Sequence, residues 1–263
     1  MNNGAKFRQR IRNGEILIGT AITFGDPAVT DALCDSADFY WIDAEHSALT
    51  NDQIQGHIIS TKGTDTAPLV RVPWNDPVRI KPILDMGAAG VIVPFVRNGE
   101  EARQAVAACR YPPVGIRGWA PRRPSNYGRK RDADQLRREG DETVLCFVQI
   151  EHFDSITNLE EILDAPGLDG IAIGPMDLSA SMGLIGQLRH PSVFSAIEKA
   201  VTRASEKGLL VGTSIGHDVD LALKFIEWGA QWIALGADFS LMIETADLLA
   251  QQIRSRLPAD TRS

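Results

Sequence analysis

The chain reads as a single (β/α)8 barrel of the TIM type, spanning residues 1–263, and three observations predict it. Short apolar runs rich in β-branched and aromatic residues alternate with helical patterns from end to end, the rhythm of a sheet in which a helix follows every strand. Most of those runs are apolar at every position rather than at alternate ones, as parallel strands covered on both faces are. The composition holds one regime throughout, with 44% hydrophobic and 23% charged residues, and the length suits one closed barrel. A doubly wound open sheet is the other arrangement compatible with this alternation.

The elements follow in order. A first strand is expected at Ile16–Thr20 and a helix at Pro27–Ser36. The run Phe39–Asp43 gives a second strand, and Asn51–Thr61 its helix. Pro68–Val72 precedes a helix over Pro77–Met86 that opens on Asp-Pro, a start signal because proline fits the first helical position. Gly90–Pro94 leads to Gly99–Cys109, whose polar face carries Glu and Arg. Val144–Ile150 is followed by Ser155–Leu163, and Gly170–Gly174 by Pro191–Lys207. Leu209–Thr213 with Val219–Trp228, then Trp232–Leu235 with Ser240–Arg254, complete the set. Gly208 and Gly229 stand where left-handed C-terminal caps belong.

The formal net charge of −7 argues against a nucleic-acid partner, which would favour a basic chain. No run of about 18 apolar residues is present to span a bilayer. The start, Met1-Asn2-Asn3-Gly4-Ala5-Lys6-Phe7-Arg8, lacks the apolar stretch of a secretory signal, so a cytoplasmic protein is expected. Cys34, Cys109 and Cys146 have no metal-type spacing and are expected as reduced, mostly buried thiols. One stretch breaks the rhythm. Residues 111–142 form a long basic loop rich in Pro and Gly, with Arg117, Arg122, Arg123, Arg129, Lys130, Arg131, Arg137 and Arg138. It is either a solvated charge run or a flap that covers an anion site or reaches a neighbouring subunit.

In a barrel of this type the reactive side chains sit at the C-terminal ends of strands. Those ends hold Asp43-Ala44-Glu45-His46, Arg71, Gln149-Ile150-Glu151 and Gly174-Pro175-Met176-Asp177. Glu151 and Asp177 are hard oxygen ligands on neighbouring strand ends, suited to a divalent cation with open positions, or alternatively to pairing with arginines. Asp177 could also cap a helix starting near Met176. His46 is a candidate base or an ordinary loop histidine, and Asp43, three residues earlier, could orient its ring. Arg71 ends an apolar strand and needs a partner or a substrate.

Other chemistries find no residues. No lysine lies in a strand, as a Schiff-base mechanism requires. The five histidines are too scattered for a three-histidine zinc site. No dinucleotide Gly-x-Gly-x-x-Gly occurs after a strand.

Asp43-Ala44-Glu45-His46, Arg71-Val72-Pro73-Trp74-Asn75-Asp76-Pro77, Arg110-Tyr111-Pro112-Pro113-Val114-Gly115-Ile116-Arg117-Gly118, Gln149-Ile150-Glu151 and Gly174-Pro175-Met176-Asp177-Leu178-Ser179 follow one family's order and spacing. The chain resembles the HpcH/HpaI family of class II pyruvate aldolases over about residues 14–254. The resemblance implies that Glu151 and Asp177 bind Mg2+, Mn2+ or Co2+, and that Arg71 contacts the keto oxygen of pyruvate. It implies that Gln149 and the backbone around Met176 and Asp177 hold the pyruvate unit, and that His46, supported by Asp43, is the base. Asp85 matches a position that contributes across a subunit contact. The family's usual assembly is a homo-hexamer with exchanged C-terminal helices, here residues 240–254.

Three positions depart from the family pattern. Ser47-Ala48-Leu49 follow the histidine, bulky Trp119 follows Gly118, and Ser214 stands where the heptanedioate enzyme commonly has an apolar residue. A hydroxyl at Ser214 would favour a polar, hydroxylated aldehyde. The resemblance therefore implies reversible, metal-dependent cleavage of a 4-hydroxy-2-oxo acid to pyruvate, or a close 2-oxo acid such as hydroxypyruvate, and an aldehyde. A metal-dependent lyase acting on a CoA thioester such as citramalyl-CoA, and a non-catalytic barrel that binds an oxo acid, are the alternatives.

Overall fold

A computed structural model describes residues 3–258; residues 1–2 and 259–263 of the predicted domain span lie outside the described residues. Eight parallel strands close on themselves in sequence order, β1 (Leu17–Ile22), β2 (Phe39–Asp43), β3 (Ala67–Arg71), β4 (Gly90–Val93), β5 (Leu145–Ile150), β6 (Gly170–Ile173), β7 (Leu210–Ile215) and β8 (Trp232–Ala237). The pairing of β1 with β8 shuts the barrel, which rules out the open sheet.

The helices wrap the outside: α1 (Asn3–Arg12), α2 (Ala28–Ala32), α3 (Asn51–Ser60), α4 (Pro77–Asp85), α5 (Gly99–Cys109), α6 (Ala133–Thr143), α7 (Phe153–Thr157), α8 (Leu159–Leu163), α9 (Pro175–Ser181), α10 (Pro191–Glu206), α11 (Val219–Trp228) and α12 (Asp238–Arg256). Their starts are set by side-chain caps. Thr50 closes a capping box with Gln53, and Asp76, Asn98 and Asp218 accept from the first turns of α4, α5 and α11. Gly229 ends α11 at φ 115°, a backbone state that glycine reaches without steric cost.

Period-two alternation divides each strand between two cores. The outward residues, such as Ile42, Val70, Val91, Val148, Ile171 and Val211, pack under the helices. The inward ones form a second cluster along the barrel axis, with Phe39, Trp41, Leu69, Phe147 and Trp232 at its centre. The rings of Phe147 and Trp232 lie 4.6 Å apart, and Phe7 of α1 meets Phe39 edge-on at 5.8 Å. Trp232 fits across the axis because β7 has a glycine there. A Cβ on Gly212 would stand 2.0 Å from its ring.

Several elements differ from expectation, among them the short helix α9, which precedes the expected helix after β6. Helix α1 is additional: Phe7 and Ile11, four residues apart in an otherwise basic stretch, plug the N-terminal end of the barrel. The first expected helix stops at Ala32 rather than Ser36. The helix expected over Ser155–Leu163 is two short ones broken at Asn158, whose amide donates to Arg97 O at 3.0 Å. The long basic segment is not all loop, since α6 occupies its second half and packs against α1.

That segment is not a flap over this chain's own strand ends either. It follows α5 and lies at the opposite end of the barrel, where helices return to the N-terminal ends of strands. Arg110 donates to Val144 O and pairs with Asp169 at 2.7 Å, and Arg117 pairs with Asp85 at 3.0 Å beneath the ring of Tyr111. All three cysteines are free; Cys109 and Cys146 are buried and Cys34 is half-buried. Among the described residues no helix is long and apolar enough to cross a membrane.

Candidate active site

Strand parity assembles the site. The inward series Phe39, Trp41 on β2 continues to Asp43, and Ala67, Leu69 on β3 continues to Arg71. On β5 the series Leu145, Phe147 continues to Gln149 and then to Glu151 just past the strand. On β7 the series Leu210, Gly212 reaches Ser214, since that strand runs two residues beyond its expected end. These four strands thus present apolar residues low in the barrel and a polar side chain at the C-terminal mouth.

Arg71 is the electrostatic centre. Its Nε donates to Asp43 Oδ1 at 3.0 Å and its Nη2 to Oδ2 at 2.6 Å, a bidentate fork, while Nη1 lies 3.1 Å from Glu45 Oε2. Burial alone would raise the Asp43 carboxyl. The guanidinium, with the amides of Glu45 and His46, outweighs it and holds the group below the ordinary carboxylate range. Arg71 is therefore an organised cation, fixed before any substrate arrives.

This geometry corrects the expected pairing of Asp43 with the His46 ring. Asp43 receives the His46 backbone amide at 3.2 Å, and its oxygens are otherwise held by Arg71 and the Glu45 amide. The carboxylate near the imidazole is that of Glu45, at 3.7 Å from Nε2. His46 projects into the open, with 60% of its side chain exposed. Glu45 is thus a site residue that the sequence reading left without a role. Its signal was parity, because it stands two residues beyond the inward Asp43.

Glu151 is 1% exposed. Its Oε1 accepts the Phe95 amide at 2.7 Å, and its Oε2 accepts from Gln149 Nε2. Burial, reinforced by the charges of Glu45 and Asp177, outweighs the Phe95 amide and Arg71 and pushes its carboxyl up to about 8. Asp177 sits in the first turn of α9, half-buried, with exposed Met176 beside it. Gly174, between β6 and α9, leaves room for this packing. A Cβ there would lie 2.6 Å from Glu151 Oε2 and 2.7 Å from Gln149 Nε2.

Four carboxyl groups, Asp43, Glu45, Glu151 and Asp177, cluster with one arginine, and Gln149 Oε1 is buried without a hydrogen-bond partner. Both features fit a divalent cation bound by Glu151 and Asp177. Among the described residues no group of three or more His, Cys, Asp or Glu is placed to hold a metal. A cation here would draw its remaining oxygens from substrate and water, as a Lewis-acid site with open positions does.

Two expected residues lie elsewhere in this chain. Asp85 ends α4 at the opposite end of the barrel and pairs with Arg117. Trp119 lies in the segment after α5 and packs on Tyr111 at 4.8 Å. His152 caps α7, accepting the Asp154 amide at 3.1 Å, and turns away from the site.

A closed (β/α)8 barrel with a buried carboxylate cluster and a pre-paired arginine at its C-terminal mouth belongs to the enzymes that work at that end of the fold. The chain is a member of the HpcH/HpaI aldolase/citrate lyase family, whose sequence model matches residues 26–245. It is 37% identical over 257 residues to the 4-hydroxy-2-oxo-heptane-1,7-dioate aldolase of Escherichia coli, covering 96% of each chain. Among solved structures, an HpcH/HpaI aldolase/citrate lyase family protein from Burkholderia cenocepacia matches with a TM-score of 0.88 and 30% identity over 96% of this chain and 99% of that one. An HpcH/HpaI aldolase from Desulfitobacterium hafniense matches with a TM-score of 0.87 and 27% identity, over 96% and 97%.

Proposed function

We propose that the protein is a divalent-metal-dependent aldolase that reversibly cleaves a 4-hydroxy-2-oxo acid into pyruvate, or a close 2-oxo acid such as hydroxypyruvate, and an aldehyde. The observation that carries this reading is Glu151. A carboxylate is buried at the barrel mouth, crowded by Glu45 and Asp177, beside an arginine already oriented by Asp43. Family membership and the aldolase names of the relatives support the same reaction class.

A bound Mg2+, Mn2+ or Co2+ would supply Lewis acidity toward the carboxylate and keto oxygen of the oxo acid. Glu151 and Asp177 would hold it. Arg71 directs fixed N–H donors to where negative charge develops on the C2 oxygen as the C3–C4 bond breaks. Because Asp43 and Glu45 restrain the guanidinium, little reorganisation is needed during reaction. His46, exposed at the mouth, takes the C4 hydroxyl proton, directly or through water, as the C3–C4 bond breaks, and a proton returned to C3 of the enolate gives pyruvate; in the synthetic direction it helps remove a methyl proton from pyruvate and supplies the proton to the new C4 hydroxyl. Glu45, rather than Asp43, is the carboxylate near enough to steady the ring. Gln149 braces Glu151, and Ser214 offers a hydroxyl on the inner wall toward the aldehyde portion.

The protein acts as a homo-oligomer in this reading. Helix α12 leaves Met242, Ile243, Leu248, Leu249 and Ile253 exposed, an apolar stripe that a second copy would cover. Resemblance to the family supports six copies, and Asp85 and Trp119 would then serve a neighbouring subunit. Free thiols accord with a cytoplasmic location.

Methyl-proton exchange of pyruvate in D2O, followed by NMR, tests the proposal. Exchange with Mn2+ that stops on adding EDTA is the expected result; binding without exchange would identify a non-catalytic oxo-acid barrel. Parallel cleavage assays on a free 4-hydroxy-2-oxo acid and on citramalyl-CoA separate the aldolase from a thioester lyase.

A further inference from the structure

The turn after β4 contains a residue in a backbone state that its side chain disfavours. Phe95 has φ 52°, in the left-handed region, where bulky side chains are rare and glycine and asparagine are tolerated. Asn126 and Tyr127 share this state within a surface turn, whereas Phe95 stands at a strand end, against the site. Pro94 just ahead of it has no N–H. Phe95 therefore supplies the first main-chain donor beyond β4, and that donor meets Glu151 Oε1 at 2.7 Å. Left-handed geometry turns the amide inward while sending the ring outward, where it packs against the exposed ring of Trp74 at 6.1 Å.

The next two residues are clamped. Val96 O accepts from Ser155 Oγ at 2.7 Å, Arg97 N donates to Glu101 Oε2 at 2.6 Å, and Arg97 O accepts from Asn158 Nδ2 at 3.0 Å. A strained residue persists only when its surroundings over-determine it, and such residues collect at functional sites. Here the surroundings come from α5, α7 and the α7–α8 break, and the strained bond ends on the carboxylate at the centre of the site.

We propose that Phe95 is a positioning residue: its left-handed backbone, held by the clamp on residues 96 and 97, fixes the Glu151 carboxylate through Oε1, as Gln149 does through Oε2, so that the group is held in one orientation for a cation. Its value for cation binding rests on the aldolase reading; the Phe95–Glu151 contact itself does not. The backbone conformation carries the role, not the aromatic ring.

The test is a substitution series at this position, Phe95→Gly, Phe95→Asn, Phe95→Val and Phe95→Ile, read two ways. Manganese affinity is measured by EPR of free Mn2+, with circular dichroism to verify folding. The amide resonance of residue 95 is followed by 15N NMR without metal, with and without Glu151→Ala. Glycine and asparagine, which tolerate the left-handed state, should keep the Mn2+ Kd within about threefold of wild type, and the β-branched residues should weaken it by about tenfold or more. The amide should move upfield in Glu151→Ala for the wild-type, glycine and asparagine chains only. An affinity order that follows side-chain bulk, with valine and isoleucine above glycine, would overturn the inference, as would an amide indifferent to Glu151→Ala. Failure of the wild-type protein to bind Mn2+ would sink the aldolase reading instead, leaving the amide measurement to decide the role of Phe95.

Discussion

The raised carboxyl of Glu151 makes a quantitative prediction for Glu151→Gln in the metal-free protein. Folding moves this group from an ordinary value near 4.5 to about 8. The folded state thus holds the proton more tightly than the unfolded state, so the sign is opposite to that of a salt-bridged acid. Stability is fullest below about pH 4.5, falls as pH rises between the two values, and levels off above about 8. At about 1.4 kcal/mol for each pH unit, the interval amounts to on the order of 5 kcal/mol in favour of the neutral side chain. Glutamine keeps the acceptor for the Phe95 amide but does not ionise. The variant should match wild type near pH 4.5 and exceed it progressively up to pH 9. Urea unfolding in EDTA across that range measures the difference. Saturating Mn2+ should then restore wild type at pH 9 and leave the variant little changed, because a cation compensates a charge that only wild type carries. A stability difference independent of pH would refute the reasoning, since it would mean that Glu151 does not change protonation between the folded and unfolded states.

His46→Ala should lower turnover by about 10²–10⁴-fold, the usual contribution of a positioned acid–base group, with Mn2+ affinity unchanged; steady-state kinetics beside EPR titration checks both. Asp43→Ala strips the bidentate partner from Arg71, whose side chain is only 12% exposed, and should cost about 3–5 kcal/mol in urea unfolding, toward the lower figure because Glu45 remains 3.1 Å away. A loss below about 1 kcal/mol would show that the guanidinium is hydrated in solution. Leu249→Glu on α12 should reduce the molar mass measured by light scattering while leaving the far-UV spectrum intact; an unchanged mass would clear this face of any role in assembly.

Much of the barrel was legible because its information is local. Apolar runs mark strands, Asp76-Pro77 opens α4, and Gly229 closes α11, each through the preferences of a few neighbouring residues. Parity along a strand is local too. It brings Gln149 and Glu151 to one face, position at a strand end marks Asp43 and Arg71, and parity counted from Asp43 also marks Glu45. Helix α1 was less legible because Phe7 and Ile11 are two apolar residues in a basic stretch, and their burial depends on an aromatic cluster built by β2, β5 and β8.

Local preferences along the chain specify the alternation of strands and helices and which side chains stand at strand ends, while the pairing of β1 with β8 closes the barrel. How those side chains share their charges depends on contacts between strands. Asp43 was free in sequence to orient His46 or to hold Arg71, and the pairing of β2 with β3 places Asp43 directly opposite Arg71. Phe95 carries no sequence signal for its role, since a main-chain amide looks the same in every residue but proline. Its direction follows from a backbone angle held by contacts from three other elements, and those contacts exist only once the chain has closed around them.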